Sequence, residues 1–503
     1  MPYRPSPEEA ASLAGDFKSI PISLTLPVGG HTPVETFRIL KNLSRQCFIL
    51  ESLEDPNRHG RYTFLGYDPK LEISCTNGAL SIKNGTHINM TVKNPGANIN
   101  QIIEENRSPE LPYLPPFTGG LVGYFSYDYI KYSEPGLNLD ADDQEHFKDV
   151  DLMLFDKVVA YDHLEEKIIL MVNIKTDAVK ENYNRAVTEL EKLARIIESG
   201  TPADMKPLKI NSPFRPLFDE VQYCSMVRRA KDYIKEGDIF QVVLSNRLEA
   251  DVEGSLFDTY RVLRERNPSP YMFYFSSDDI EIAGASPETL VKLLKGDLLT
   301  FPLAGTRPRG KTEDEDTALE RELLTDPKEL AEHNMLVDLG RNDLGKISRF
   351  GSVMLERYLS VEKFSHVMHL GSTVRSVIRE GKTGTDAVEA VLPAGTLSGA
   401  PKIRACGIIN ELENNKRGIY GGAIGYLAFN GDMDTCIAIR IAFKKNGKVF
   451  VRSGAGIVAD SVPEKEYQEC ENKMRGVLNA LEEAQSMGTA DSASPVQKWG
   501  HKK

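Results

Sequence analysis

A stretch near the carboxyl end constrains the fold most: a glycine-lined strand end is followed at once by a helix with one charged face. Gly454 and Gly456 close an apolar run that predicts a strand, and glycine lets another group approach the backbone closely. On the helix, Glu466, Glu469 and Lys473 are spaced to share one face. Two carboxylates and an ammonium beside such a loop suit a metal ion and an anionic ligand, whereas a plain solvated face is the alternative.

The composition excludes several classes of function. The chain has 503 residues, a net charge of −12 and a pI of about 5.4, which argues against general binding to nucleic acid or anionic membranes. It lacks an apolar run of about 18 residues, so no membrane span is predicted. Its six cysteines have no metal-binding spacing, and its first residues lack the apolar core of a signal peptide. We therefore expect a soluble cytoplasmic protein.

The order of predicted elements indicates an α+β chain that is rich in strands. Short runs of alternating apolar residues are separated by turn signals, among them Asn77-Gly78 and Asn84-Gly85, which predict hairpins. Neither the glycine-rich dinucleotide fingerprint nor the phosphate-binding loop motif of nucleotide-binding proteins occurs.

Composition also suggests how the chain is divided. Residues 200–216 are rich in Pro, Ser and Lys and predict a linker. We expect an N-terminal region over residues 1–215 and a second domain over residues 216–485. Residues 486–503, which carry the single tryptophan Trp499, are low in apolar residues and predict a disordered tail.

A second helix with paired acids is predicted over residues 313–340. Glu329 and Glu332 lie three residues apart on it and face the same side. Two helices that each offer paired carboxylates can converge on one divalent cation, and Mg²⁺ accepts few protein carboxylates. A solvated helix face is again the alternative.

Two turns and two histidines have both a structural and a functional explanation. Residues 302–307 and 393–401 join small residues to a threonine, and such turns can present N–H groups and a hydroxyl to an anion. Structural loops are the alternative. His366 and His369 lie three apart near a predicted strand, where packing histidines are common, but His369 also suits acid–base work.

Seven segments together resemble the chorismate-binding enzyme family. They cover nearly all of residues 220–480 in the order found in that family. The resemblance implies a sandwich of large, mostly antiparallel sheets flanked by helices. The segments are Pro302-Leu-Ala-Gly-Thr-Arg307, Asp338-Leu-Gly-Arg-Asn-Asp-Leu344, His366-Val-Met-His-Leu370, Gly395-Thr-Leu-Ser-Gly-Ala-Pro-Lys402, Tyr420-Gly-Gly-Ala-Ile-Gly-Tyr426, Ile439-Arg-Ile441 and residues 454–478.

The branch of the family is indicated by four further features. Leu50-Glu-Ser52 and Asn267-Pro-Ser-Pro-Tyr-Met-Phe273 resemble the tryptophan-binding elements of the anthranilate-forming branch. Gln241 stands where isochorismate- and salicylate-forming members carry a water-activating lysine, which favours ammonia as the nucleophile. Ala304 stands where members forming the para-amino product typically carry lysine. That para-amino branch is the nearest alternative, and a non-catalytic tryptophan-sensing subunit is another.

The resemblance implies a Mg²⁺-dependent conversion of chorismate and ammonia to anthranilate and pyruvate, the first committed step of tryptophan biosynthesis. Glu332 and Glu469 would hold the metal, with Glu329 and Glu466 as supporting or water-mediated ligands. Glu288 would be the general acid for the C4 hydroxyl, which requires a raised pKa.

The same resemblance implies roles for the remaining site residues. The enolpyruvyl carboxylate would be held by a planar guanidinium, an ammonium, a phenol and backbone N–H groups. The residues are His369 for loss of the ring proton, Gln241 as a catalytic residue at the nucleophile's side, Thr396 and Thr306 for substrate oxygens, and Tyr420, Arg440, Gly454, Ala455, Gly456 and Lys473 for the carboxylate.

A partner and an inhibitor are also implied. We identify no glutaminase-like arrangement of Cys, His and Glu in the sequence, and the family's solution is a separate glutamine amidotransferase subunit that passes ammonia across an interface. We therefore expect a hetero-oligomer such as a heterotetramer. Tryptophan is expected to act as an allosteric feedback inhibitor between the two halves of the chain. Its implied contacts are Leu50, Glu51, Ser52, Pro270, Tyr271 and Met272.

Overall fold

The computed structural model describes residues 3–53, 60–363 and 367–490. His366 and Trp499 lie outside the described residues. Within the described part, the longest helices are too polar or too short to cross a membrane.

Helices in the described residues are of ordinary length except the last, which is long. Their bounds are α1 (Pro7–Leu13), α2 (Pro33–Leu43), α3 (Gly96–Glu104), α4 (Ile130–Ser133), α5 (Val179–Ser199), α6 (Glu220–Glu236), α7 (Phe257–Arg266), α8 (Glu313–Thr325), α9 (Pro327–Gly345), α10 (Gly384–Val391), α11 (Lys402–Glu413) and α12 (Pro463–Ala490).

Strands occur along the whole chain. The first group is β1 (Tyr3–Arg4), β2 (Ser19–Pro27), β3 (Cys47–Glu51), β4 (Tyr62–Tyr67), β5 (Leu71–Thr76), β6 (Ala79–Lys83), β7 (His87–Thr91), β8 (Gly120–Phe125), β9 (Val150–Phe155), β10 (Lys157–Asp162) and β11 (Lys167–Lys175). The second group is β12 (Lys209–Ile210), β13 (Arg215–Pro216), β14 (Gln241–Glu253), β15 (Tyr271–Ser276), β16 (Ile280–Ser286), β17 (Thr289–Leu294), β18 (Asp297–Thr300), β19 (Leu303–Pro308), β20 (Met354–Lys363), β21 (Val367–Val377), β22 (Gly399–Ala400), β23 (Ala423–Ala428), β24 (Met433–Ile437), β25 (Ile441–Lys445) and β26 (Lys448–Ile457).

The strands form two large sheets whose described pairings between named strands are antiparallel. The first has the order β1-β2-β11-β10-β4-β3-β15-β16-β25-β26-β14-β12, and the second β19-β21-β18-β17-β24-β23-β8-β9-β5-β6-β7. Each sheet takes strands from both sides of residue 215, because β3 pairs with β15 and β8 pairs with β23. The N-terminal region and the second domain therefore share both sheets, and their division into functional units stays a prediction.

The two sheets pack face to face around an aromatic core. Phe48, Phe273 and Phe443 of the first sheet cluster with Phe155 and Tyr426 of the second, and all five are buried. Helices cover the outer faces of the sheets, with an apolar core beneath them. One such core lies under α2, α5, α7 and α12, and another lies under α3, α9 and α10. Burial of these apolar faces is the main favourable contribution to folding. The predicted sandwich of antiparallel sheets flanked by helices is confirmed.

Local sequence signals account for several element boundaries. Asn77 and Gly78 have φ of +50° and +79°, the left-handed pair that a two-residue hairpin turn needs, and β5 pairs with β6 across them. Asp219 caps α6 through the N–H of Gln222, and Gly237 ends that helix at φ +87°. The hairpin predicted at Asn77-Gly78 is confirmed.

The helix predicted over residues 313–340 is wrong as a single element. It is two helices, α8 and α9, separated at Asp326. Pro327 lacks the N–H that a continuing helix would use, and the Asp326 side chain accepts hydrogen bonds from the N–H groups of Lys328 and Glu329. The break places Glu332 in the second turn of α9 rather than in the middle of one long helix.

The predicted linker and tail contain regular structure. Within residues 200–216, β12 and β13 add to β14 at the edge of the first sheet. Helix α12 continues to Ala490, beyond the residue at which the tail was expected to begin. The rest of the predicted tail lies outside the described residues.

Candidate active site

The second turns of α9 and α12 bring acidic side chains toward each other. Burial, the charge of Glu329 and then the charge of Glu469 raise the pKa of Glu332, while Lys328 and Lys473 oppose the shift. Glu332 and Glu469 therefore lie within electrostatic reach, although they belong to distant parts of the chain. The structure thus brings together the two residues predicted as metal ligands.

The two supporting acids have different surroundings. Burial raises the pKa of Glu466, with a smaller contribution from the charge of Glu469, so Glu466 lies on the same side of α12 as the predicted ligand. Glu329 instead pairs with Arg307, whose Nη1 is 3.2 Å from its Oε1. Among the described residues, Glu329 forms an ion pair and Glu466 does not.

A Mg²⁺ ion fits this set of donors. Among residues 3–53, 60–363 and 367–490, no three His, Cys, Asp or Glu side chains form a ready-made metal cluster. Mg²⁺ does not require one, because it binds through one or two carboxylates and keeps water or substrate oxygens as its other ligands. Burial raises the pKa of Glu332 most, and the neighbouring carboxylates of Glu329 and Glu469 add to that rise, so a bound cation would offset a cost that is already present. Glu332 and Glu469 would hold the ion.

The end of β26, a turn and α12 meet at Lys473. Its ammonium donates to Glu469 Oε1 at 2.6 Å and to the carbonyl oxygen of Gly454 at 3.0 Å. Arg440, which follows β24 at a left-handed φ of +54°, donates from its guanidinium to the carbonyl oxygen of Lys473. Two cations predicted to hold a carboxylate are therefore next to the predicted metal ligands.

The glycine pair is required by the protein's own side chains. A Cβ atom at Gly454 would lie 3.1 Å from the Tyr420 hydroxyl and 2.8 Å from the Leu244 carbonyl oxygen. A Cβ atom at Gly456 would lie 2.7 Å from the Gln241 amide nitrogen. Side chains at either position would displace Tyr420 or Gln241, both predicted site residues. Close approach of protein groups thus explains the glycines without a ligand.

Glu288 and Thr396 form the polar part of a small cavity. Thr396 Oγ1 donates to Glu288 Oε1 at 3.1 Å. Burial raises the pKa of Glu288 to about 7, against opposing effects from that hydrogen bond and from Lys473. The cavity has a volume of about 40 Å³ and is also lined by Leu336 and Gly340 of α9. A carboxyl with this pKa keeps its proton on about half of the molecules at pH 7 and can donate it.

His369 is held in one tautomer. Its Nδ1 lies 2.8 Å from the carbonyl oxygen of Gly305 and 3.1 Å from Thr306 Oγ1. A carbonyl oxygen only accepts, so Nδ1 carries the proton and Nε2 carries the lone pair. Burial lowers the pKa of His369, which keeps the ring neutral near pH 7 and able to accept a proton.

The predicted inhibitor residues line a second, much larger cavity of about 1030 Å³. It lies where β3 pairs with β15, and Leu53 N–H donates to the Ser269 carbonyl oxygen at its edge. The predicted set on its wall is Leu50, Glu51, Ser52, Pro270, Tyr271 and Met272. The structure brings all six together, as the sequence resemblance implied.

The side chains of Glu51 and Tyr271 are engaged by other residues. Glu51 Oε1 accepts from Arg264 Nε at 2.7 Å and from the Tyr260 hydroxyl, so its carboxylate belongs to an internal ion pair. The Tyr271 hydroxyl lies 2.9 Å from Thr289 Oγ1 and donates to Asp434 at 2.8 Å. Thr289 follows Glu288 in the chain. The hydrogen bond between Tyr271 and Thr289 therefore links the wall of the large cavity to the residue next to Glu288 in the small cavity.

Comparison with known proteins agrees with this geometry. The sequence model of a family described as chorismate binding enzyme matches residues 45–479. The chain belongs to the chorismate-binding enzyme family. Anthranilate synthase component 1 of Acetivibrio thermocellus is 44% identical over 491 residues, which cover 96% of this chain and 99% of that protein. The same component of Aquifex aeolicus is 42% identical, with coverage of 95% and 98%.

A solved structure supports the same assignment of fold. The crystal structure of anthranilate synthase component I from Streptococcus pneumoniae superposes with a TM-score of 0.74 at 40% identity, over 83% of this chain and 92% of that chain. The predictions of a chorismate-binding enzyme and of its α+β fold are confirmed. The roles assigned to individual residues stay predictions.

Sequence reasoning missed a buried charged cluster in this family member. Arg417, Glu413 and Arg452 are buried almost completely, and Glu413 forms an ion pair with each of the two arginines. A local signal existed, because Arg452 interrupts the apolar run of β26. Its partner Glu413 ends α11, and only the folded chain brings the two together.

Proposed function

We propose that the chain is the chorismate-converting subunit of an anthranilate synthase, in which chorismate and ammonia give anthranilate, pyruvate and water. The observation that carries the proposal is the convergence of Glu332 and Glu469 beside Lys473. Near-full-length similarity to anthranilate synthase component 1 of two bacteria supports the product. Gln241 in place of a lysine supports ammonia, rather than an activated water, as nucleophile.

The residues have separate tasks in this reaction. When bound, Mg²⁺ would offset the charge of the ring carboxylate and draw electron density from the ring. Glu288, in its protonated form, donates its proton to the C4 hydroxyl as ammonia adds at C2 and water leaves. Thr396 keeps Glu288 oriented through its hydrogen bond. Arg440 and Lys473 bind the enolpyruvyl carboxylate.

Elimination of pyruvate then makes the ring aromatic. The ring proton at C2 must leave, and neutral His369 can accept it at Nε2 because Nδ1 donates to the Gly305 carbonyl oxygen. The electron pair of the C2–H bond enters the ring as the C–O bond to the enolpyruvyl group breaks. The departing enolpyruvate takes up a proton at its methylene carbon and becomes pyruvate. No oxidant is needed, because the elimination alone supplies the aromatic electrons.

The product identifies the branch of the family. We expect the purified chain with chorismate, Mg²⁺ and an ammonium salt to form ortho-aminobenzoate, separated from the para isomer by chromatography. Glutamine should replace ammonium only when a glutamine amidotransferase subunit is added. Formation of the para isomer would contradict the anthranilate assignment. Chorismate that binds but is never consumed would instead indicate a non-catalytic sensor.

Tryptophan inhibition is the second part of the proposal. The cavity of about 1030 Å³ offers apolar walls for an indole and hydrogen-bonding groups for an amino acid. Tyr271 on its wall is hydrogen-bonded to Thr289, which neighbours Glu288. A ligand that favours one position of Tyr271 could therefore change the position of Glu288, the proposed general acid, through Thr289. The coupling must be reciprocal, so chorismate should weaken tryptophan binding.

Substitution of Ser52 by phenylalanine tests this site. The larger side chain should occupy space in the cavity, so the tryptophan concentration for half inhibition should rise at least about tenfold. The measurement is the ratio of initial rates with and without tryptophan. The same substitution at Ser199, exposed at the end of α5, is the control. A Ser52→Phe enzyme as sensitive to tryptophan as its parent would show that the inhibitor binds elsewhere.

A further inference from the structure

The buried guanidinium group of Arg417 contacts several segments that carry predicted site residues. Arg417 donates from Nε to Glu413 Oε2 at 2.9 Å and from Nη2 to Glu413 Oε1 at 2.5 Å. Arg452 donates to the same carboxylate, Oε2, at 2.7 Å. The side chains of all three are at most 1% exposed. One buried carboxylate thus holds two guanidinium groups.

Arg417 makes two further contacts that Arg452 does not share. Its Nη1 donates to the carbonyl oxygen of Leu397 at 2.6 Å, and its Nη2 donates to the carbonyl oxygen of Val243 at 2.6 Å. Leu397 belongs to the single helical turn that also carries Thr396. Val243 is on β14, two residues after Gln241. Arg417 therefore joins the Thr396 turn directly to the strand of Gln241.

The same group also reaches the carboxylate-binding side of the site. Val243 pairs with Gly456 across β14 and β26. The Arg417 guanidinium lies 5.9 Å from the ring centre of Tyr420 and 4.6 Å from that of Tyr127, within the range of a cation–π contact. The planar fork of arginine can serve all these partners together, whereas lysine offers a single ammonium.

The contacts of Arg452 point elsewhere. It donates to Ser245 Oγ at 2.8 Å, to Asn415 Oδ1 at 2.9 Å and to the Lys416 carbonyl oxygen at 3.1 Å. None of these residues is in the predicted site. Arg452 and Arg417 therefore share burial and a carboxylate partner, but only Arg417 bonds the turn that carries Thr396.

Stability alone does not explain a buried ion cluster. Taking charges out of water costs about as much as their attraction returns, and apolar residues of similar volume often stabilise a core equally well. A cluster whose hydrogen bonds fix backbone carbonyl groups does, however, restrict where those segments lie. The restricted segment here includes Thr396, whose hydroxyl must reach Glu288.

We propose that Arg417 is a positioning residue of the active site: through the Leu397 carbonyl oxygen it fixes the turn that lets Thr396 hydrogen-bond Glu288. The choice of reaction used as readout rests on the proposed function, but the contacts do not. Because the Thr396 hydrogen bond lowers the pKa of Glu288, a displaced turn should raise that pKa. The loss of turnover at alkaline pH should then begin at a higher pH, while the maximum rate decreases.

Arg417→Lys and Arg452→Lys form a matched pair for the test. For Arg417→Lys we expect kcat to fall about tenfold or more, with the alkaline limb of the kcat/KM profile shifted to higher pH. Arg452→Lys should lose similar thermal stability, keep kcat within about threefold and leave the limb in place. In a Thr396→Ala background, Arg417→Lys should add little further loss, because both act through one hydrogen bond.

Equal effects of the two lysine variants on kcat and on the pH limb would overturn the proposal and leave Arg417 a purely structural residue. Additive losses with Thr396→Ala would overturn it too. Arg417→Gln, which introduces no lone buried ammonium, provides the same comparison if Arg417→Lys does not fold. A parent protein that does not consume chorismate contradicts the proposed function, whereas an active parent with indistinguishable variants contradicts only the positioning role.

Discussion

Replacing Glu469 with glutamine is expected to lower Mg²⁺-dependent turnover of chorismate by at least about a hundredfold. The amide keeps the shape of the side chain but removes half of the negative charge that Glu332 and Glu469 together offer a cation. The substitution also removes the ion pair between Glu469 and Lys473. Such a part-exposed i,i+4 pair contributes only about 0.3–0.5 kcal/mol to stability. The fold should therefore be retained, with a change in Tm below about 2 °C.

Two measurements separate a metal ligand from a general loss of function. The Mg²⁺ concentration needed for half-maximal activity should rise at least tenfold in Glu469→Gln, on the scale found for altered metal sites. Glu464→Gln is the control, because Glu464 is also an exposed glutamate in an ion pair on α12, with Arg228 at 3.1 Å. An active Glu469→Gln enzyme with normal Mg²⁺ dependence would remove Glu469 from the metal site.

Local structure was predictable because it depends on neighbouring residues. The left-handed turn at Asn77-Gly78 and the cap at Asp219 each need only a few consecutive side chains. The break at Asp326 was equally local, since a capping aspartate before proline is a helix-start signal. The break was missed because the helix-forming residues before and after Asp326 resemble one continuous helix.

The site was predictable only as far as its motifs resemble a family. No periodicity in the sequence indicates that Glu332 and Glu469 approach each other, because that depends on where the fold places α9 and α12. The glycines at 454 and 456 were explained by a ligand, whereas Tyr420 and Gln241 pack against them. Contacts between distant segments are set by tertiary packing, which a single sequence does not encode in a readable pattern.

Buried charges are the least visible class of feature. Glu413 and Arg417 are separated by four residues and resemble an ordinary exposed pair near a helix end. Only burial gives the pair its importance, since the Leu397 and Val243 carbonyl oxygens have Arg417 as a donor inside the core. A sequence alone does not distinguish this pair from a solvated one.

Glu288→Gln is expected to lower kcat about 10²–10⁴-fold, the range attributed to a lost general acid. Glutamine can still accept the hydrogen bond of Thr396 but has no acidic proton to give to the leaving hydroxyl. In the parent, kcat/KM should fall as pH rises through about 7, because Glu288 loses its proton there. Total ammonium must be adjusted at each pH so that free ammonia stays constant.

The same substitution should stabilise the fold above neutral pH. Folding raises the pKa of Glu288 from 4.5 to about 7, so its carboxyl contributes stability below pH 4.5 that is lost as pH rises through 7. Glutamine does not titrate, so the Tm advantage of Glu288→Gln should grow between these two values and stay constant above them. Loss of activity would then accompany a gain in stability, as expected of a residue placed for chemistry.

Glu389→Gln is the control that separates a location in the candidate site from burial alone. Glu389, on α10, also has a pKa raised by burial, and it accepts a hydrogen bond from the Tyr129 hydroxyl at 3.2 Å. It lies outside the candidate site, so its substitution should leave both kcat and the alkaline limb unchanged. If Glu288→Gln retained the limb near pH 7, the proton for the C4 hydroxyl would have to come from another group. The raised pKa of Glu288 would then reflect burial in the small cavity and nothing more.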